Sequence, residues 1–134
     1  MKTEENKTII YNPSQAVHLI WNRYRILSYL YTWAIYLDRT NQVIKVRLLA
    51  FGRVGRTVIT LREIVEPAIF FQASGLILLH QRVSPSPVPW EREWRSAIEM
   101  RDYLGELQIA LLDNIIVGRN RFFSMATMRT YECV

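Results

Sequence analysis

The chain has 134 residues, half of them hydrophobic and 12% aromatic, with a single cysteine and a formal net charge of +5. That is enough apolar material for one domain around one core, and too much for a disordered chain. The lone Cys133 excludes an internal disulfide and any zinc site built on two or more thiolates.

In chain order, residues 1–7 are charged and read as a flexible lead-in. They lack the apolar core of a signal peptide, and no apolar run approaches the length of a membrane span. A cytoplasmic location with no membrane partner is the expectation. Thr8 to Tyr11 reads as a short edge strand. Asn12-Pro13-Ser14-Gln15 starts a helix, with Asn12 as N-cap, Pro13 in the first helical position and Gln15 completing a capping box. The helix carries Ala16, Leu19, Ile20, Arg23 and Leu27 along one side and is expected to end near Ser28. Tyr31 to Leu37, aromatic and branched, reads as a strand. Residues Asp38 to Gln42 make a turn. Val43 to Ala50 returns as a second strand, with Lys45 and Arg47 facing outward. Gly52-Arg53-Val54-Gly55 is a weak match to a nucleotide loop, because it lacks a third glycine and opens no helix directly.

Thr60-Leu61-Arg62-Glu63 is a second capping box, ahead of a helical face of Ile64, Val65, Ala68 and Ile69. Pro67 falls inside that helix, where it costs about 3 kcal/mol against alanine and predicts a kink or a shifted boundary. Gly75 to Leu79 is a short apolar run that reads as a buried central strand. A loop with prolines at 85, 87 and 89 follows. Trp94, Ala97, Ile98, Met100, Arg101, Leu104 and Leu107 then trace adjoining rows of one helix, weakened near its end by Gly105. Ile109 to Leu112 and Ile115 to Val117 are strand-like pieces on either side of Asp113-Asn114. Arg121 to Met125 is a last strand after a turn at Gly118-Arg119-Asn120. Residues 126–134 show no pattern, and 127–134 reads as a flexible tail. The order of elements predicts a single α/β domain over residues 1–134, a mixed β-sheet with helices packed on its faces.

The segment with most functional content runs from Leu79 to Glu93. A rigid strand delivers His80 into an open proline-rich loop, which is a good place to build a site. This stretch resembles the metal loop of JAB/MPN domains of the RadC family, whose pattern after a strand is H-x-H-x7-S-x2-D. Other pieces agree in order and spacing. Leu37-Asp38-Arg39-Thr40-Asn41 sits at the family's L-D-x-x-N, and Arg62-Glu63 at its P-R-E. Ala73 to His80 resembles A-A-x-I-I-L-x-H, and Leu112 to Gly118 resembles L-D-H-I-I-V-G with Asn114 for His. The likeness covers about residues 14–126 and implies a JAB/MPN, cytidine deaminase-like architecture.

In the family, two His and one Asp hold zinc, a water takes the fourth position, and a Glu from an earlier strand is the base. Laid on that pattern, His80 matches the first His, Arg82 stands at the second, Trp90 at the Ser, and Glu93 at the Asp. The base position is Leu30. An arginine has no lone pair to give a metal and carries a permanent charge. A hydrolytic zinc site needs three protein ligands, an open water position and a base. The resemblance therefore implies a JAB domain with a degenerate motif and no catalytic residue. His80, Arg82 and Glu93 are its vestigial metal positions, and Ser84, Trp90 and Asn114 line the former cleft. No cofactor is expected, with zinc held by His80, Glu93 and a third ligand as the alternative. His80 also reads as a structural residue at a strand end, and Glu93 as an acid favoured by the helix dipole.

By this reading the chain is a pseudoenzyme or interaction module that works with an unknown protein partner or by self-association. A basic pI near 9.7 permits weak nucleic-acid binding through Arg53, Arg56, Arg92, Arg95, Arg119 and Arg121, although such residues usually form a solvated surface. One specific expectation follows from the loss of a metal. A carboxylate left without its cation is costly when buried. Arg82 is therefore expected to pair with Glu93.

Overall fold

A computed structural model describes residues 8–21, 30–52, 60–82, 84 and 86–133. Helix α1 (Pro13–Trp21) is followed by the hairpin β1 (Leu30–Leu37) and β2 (Val43–Gly52), then by α2 (Leu61–Phe70) and β3 (Gly75–Gln81). Helix α3 (Glu91–Glu106) leads into β4 (Ala110–Val117), β5 (Arg121–Ser124) and β6 (Arg129–Glu132). The six strands form one sheet in the order β2-β1-β3-β4-β5-β6. Strand β3 lies inside it, antiparallel to β1 and parallel to β4, so the sheet is mixed.

Both faces of the inner strands are buried. Tyr31, Trp33, Ile35, Ile77 and Leu79 join a core with Ala16, Val17 and Ile20 of α1. Ala34, Tyr36, Leu76 and Leu78 join a second core with Ile64 and Ala68 of α2 and Leu104 of α3. One helix thus covers one face and two cover the other. This is why β3 reads as an unbroken apolar run rather than an alternating one.

The local signals act as their chemistry requires. At the start of α1, Asn12 Oδ1 accepts from Gln15 N at 3.0 Å and Gln15 Oε1 accepts from Asn12 N at 3.2 Å. Thr60 Oγ1 accepts from Glu63 N to start α2. In the β1–β2 turn, Asp38 Oδ1 accepts from the backbone of Thr40 and Gln42, and Asn41 takes a positive φ of 64°.

Several expectations need correction. Helix α2 runs through Pro67 to Phe70, so the proline does not move the boundary. The helix is also turned: Ile64, Pro67 and Ala68 are buried, whereas Ile69 and Phe70 face solvent. Asp113-Asn114 does not break a strand. Strand β4 continues through both, with a bulge: Leu76 pairs with Leu111 and Ile77 with Asp113, leaving Leu112 as the extra residue. Gly75 pairs beside it, where an added Cβ would sit 3.2 Å from Ala110 O and from Leu112. The stretch read as a patternless, flexible tail contains β6, whose Tyr131 ring stacks on Phe122 at 5.1 Å. Only Thr8 to Ile10 of the first expected strand engages the sheet, through an Ile9–Gln42 bridge and the bond from Val43 N to Thr8 O. The expected end of α1 near Ser28, the lead-in at 1–7 and the Gly52–Gly55 loop beyond Gly52 lie outside the described residues.

Candidate functional site

The site lies where β3 ends. The parallel ladder to β4 continues one residue past the strand, since Arg82 N donates to Val117 O at 2.9 Å. Alternation puts His80 and Arg82 on the face that α3 covers, because Leu78 already belongs to that core. The loop from Ser84 to Trp90 then turns the chain back so that α3 starts above them.

His80 sits across from Thr32 on β1 and from Ile116 on β4. Its Nε2 is 2.7 Å from Asn114 Oδ1, and its Nδ1 is 3.5 Å from Thr32 Oγ1. Asn114 Nδ2 is turned to Met125 Sδ, so Oδ1 faces the ring. An amide oxygen only accepts, so His80 carries its proton on Nε2 and presents its Nδ1 lone pair to the Thr32 hydroxyl. Burial holds the His80 pKa below the ordinary histidine value and Arg82 adds to this, whereas the Asn114 bond and Glu93 oppose it.

Arg82 is the most buried cation of the described residues, 8% exposed. Its Nη1 donates to Glu93 Oε1 at 2.8 Å and its Nη2 donates to the Val88 carbonyl. Its Nε has no partner. The guanidinium lies 4.2 Å from the Trp90 ring centre, and Arg92 lies over the same ring at 5.0 Å. Glu93 Oε1 also accepts from Trp90 N at 2.7 Å, which satisfies a free donor at the start of α3. The two readings of Glu93, partner and helix-start acid, hold together in one side chain.

A cleft of about 270 Å³ opens beside this cluster, lined by His80, Arg92, Glu93, Ser96, Asn114 and Ile116. Of the residues expected to line it, Asn114 does. Trp90 does not: as N-cap of α3 it lays its ring over Arg82 and stays half-exposed. Ser84 is not in the lining either. Ser96 and Ile116, outside the expected set, line it as well, and Thr32 faces His80 from β1. The register of β1 and β4 against β3 brings Thr32 and Ile116 to His80, and periodicity within one segment carries no register. Leu30 opens β1 two residues before Thr32, and its side chain is outside what is described. Among the described residues, no three His, Cys, Asp or Glu side chains come together as a metal-binding group.

Asp113 has a purely structural part. It is buried, with Oδ1 accepting from Asn114 N and Ala126 N and Oδ2 from Ser124 Oγ. Ser124 Oγ accepts in turn from Thr127 N at 3.2 Å. This ties the β5–β6 turn to β4 and fixes Asn114 next to His80. Burial raises the Asp113 pKa, against the pull of those hydrogen bonds.

The described basic residues of the candidate set fall in two segments. Arg92 and Arg95 lie in the first turns of α3, and Arg95 pairs with Glu91 at 3.1 Å. Arg119 and Arg121 flank the β4–β5 turn, exposed, at the same end of the sheet. Arg53 and Arg56 lie outside the described residues.

The RadC-like JAB domain profile matches residues 10–130. The chain belongs to that family. Relatives agree with the assignment. A UPF0758 protein of Streptococcus agalactiae is 37% identical over 91 residues, covering 68% of this chain and 40% of its own. One from Shouchella clausii is 30% identical over 124 residues, covering 92% of this chain and 54% of its own. One from Methanococcoides burtonii is 26% identical over 123 residues, with the same coverage. The chain thus spans about half the length of these curated relatives. The α/β fold, a mixed six-stranded sheet with three helices, is that of a RadC-like JAB domain. Among the described residues no helix is long and apolar enough to cross a membrane.

Proposed function

We propose that this RadC-like JAB domain has exchanged its zinc for an arginine and acts through binding rather than hydrolysis. The observation that carries this reading is the Arg82–Glu93 contact at 2.8 Å. These are the residues at the second-His and Asp positions of the family pattern. A guanidinium that is bonded to the carboxylate supplies the positive charge a dication would supply.

The remaining donors do not suit zinc. His80 Nε2 is engaged with Asn114 Oδ1 at 2.7 Å and its Nδ1 faces Thr32 Oγ1 at 3.5 Å, so each ring nitrogen already faces a partner. Glu93 is shared between Arg82 and Trp90 N. The nearby permanent charge of Arg82 repels a dication. The family's base position is an aliphatic residue, Leu30. What this geometry does well is hold the proline loop against the start of α3, with Trp90 and Val88 exposed. A half-exposed tryptophan between two arginines fits a cytoplasmic protein–protein contact, since Trp and Arg dominate binding hot spots.

The test is an incubation of the protein, with and without added zinc, against isopeptide-linked and linear peptide substrates. No turnover is expected. Zinc-dependent cleavage that disappears in His80→Ala would instead make the chain a hydrolase with altered ligands.

A further inference from the structure

A second feature lies away from the site, at the outer edge of the sheet. Strand β2 is an outermost strand. Beyond Val43, which donates to Thr8 O, no described residue bonds to its outer side. Helix α2 packs over the adjacent strands through Ile64 and Ala68 and leaves a groove of about 640 Å³ between itself and β2. Apolar atoms of Leu48, Leu49, Pro67 and Phe71 line it. Phe70 lines its rim, edge-on to Phe71, and is 80% exposed, with Ile69 next to it in sequence 62% exposed. Two large apolar side chains this open, next to an apolar groove, form a contact surface rather than scattered surface residues. Arg47 and Glu63 also line the groove, one from the strand and one from the helix. Among the described residues neither has an ion-pair partner.

We infer that this groove is a self-complementary interface and that its occupant is a second copy of the chain. The patch carries both halves of what it would bind: an apolar groove and an exposed phenylalanine, an unpaired cation and an unpaired anion. A two-fold axis brings each feature against its complement, which is the requirement of an isologous contact. Phe70 of each copy enters the groove of the other, and Arg47 of each faces Glu63 of the other. A partner of another kind would need only one half of this set. The inference is independent of the reading of Arg82, because the patch and the site share no residue.

Sedimentation velocity over a concentration series tests it. The intact chain is expected to dimerise with a dissociation constant in the micromolar range, roughly that of a small, partly polar interface. Phe70→Asp is expected to weaken the dimer about 100-fold, as loss of a central anchor does. Arg47→Glu alone should weaken it about 10-fold, and Arg47→Glu combined with Glu63→Lys should recover most of that loss. The double variant keeps the test valid if Phe70→Asp fails to fold. A chain that stays monomeric up to about 100 μM, or a dimer indifferent to Phe70→Asp and to the charge exchange, overturns the inference.

Discussion

Arg82 and Glu93 meet at 2.8 Å, with the arginine side chain 6% exposed and the glutamate 23% exposed. The pair closes the end of β3 onto the start of α3. Removing the arginine alone leaves an acid with one backbone donor and a partial view of water. Arg82→Ala is therefore expected to destabilise the domain by about 3 kcal/mol, at the lower end for breaking a buried pair. Arg82→Met with Glu93→Gln keeps an acceptor for Trp90 N and should restore much of that loss. Urea unfolding of the single and double variants measures it. An Arg82→Ala protein as stable as the parent would mean that the contact adds nothing.

His80 gives a pH dependence with a defined sign. Its folded pKa lies below the ordinary value, with burial the main cause. Its contribution is complete above the unfolded pKa of about 6.5 and is lost as pH falls below it, because the unfolded chain takes up the proton first. Stability should fall from neutral into mildly acidic solution, and His80→Asn should flatten that slope. Asp113 has the opposite sign, since its raised pKa makes the folded form hold its proton longer as pH rises. The same histidine should show the Nε2-protonated neutral tautomer by nitrogen NMR at neutral pH. Protonation on Nδ1 would contradict the Asn114 assignment.

Much of the fold was legible in the sequence because its signals are local. The capping boxes at Asn12–Gln15 and Thr60–Glu63, the aromatic strand before Asp38 and the apolar run before His80 each act within a few residues. What was not legible depends on partners distant in sequence. Asp113-Asn114 reads as a break, because polar residues inside a strand need satisfaction, which Ser124, Met125, Ala126 and His80 provide. Strand β6 has no alternating pattern, because an edge strand buries little; it is visible only beside β5. At the site, the family pattern singles out Arg82 and Glu93, and the electrostatics of the exchanged pair gives their contact. Motif position leaves Trp90 either in the cleft or as an exposed contact residue, and its half-exposed ring lies over the buried Arg82 guanidinium, a favourable contact for an aromatic face.

The Asp113–Ser124 bond offers a separate test of the frame around the site. Ser124→Ala removes the donor to Asp113 Oδ2 and the acceptor for Thr127 N. It should cost about 1–3 kcal/mol, since it leaves buried polar groups unsatisfied. Hydrogen exchange at Ala126 and Thr127 should speed up more than at Leu78. Uniform loss of protection across the sheet would show that the turn is not held by this bond.

Nucleic-acid binding, if it occurs through the exposed arginines at the α3 and β4–β5 ends, should be weak, independent of sequence and steeply reduced by salt. Electrophoretic mobility with single- and double-stranded probes at two salt concentrations checks this. A tight complex that persists at physiological salt would assign the basic surface a dedicated role.

The central claim, that Arg82 stands in place of the metal, is tested most directly by calorimetric zinc titration of protein purified without a histidine tag, alongside metal analysis of the same sample. The account predicts no stoichiometric zinc and no saturable binding in the parent chain. One zinc per chain, bound by the parent and lost in His80→Ala, would contradict it.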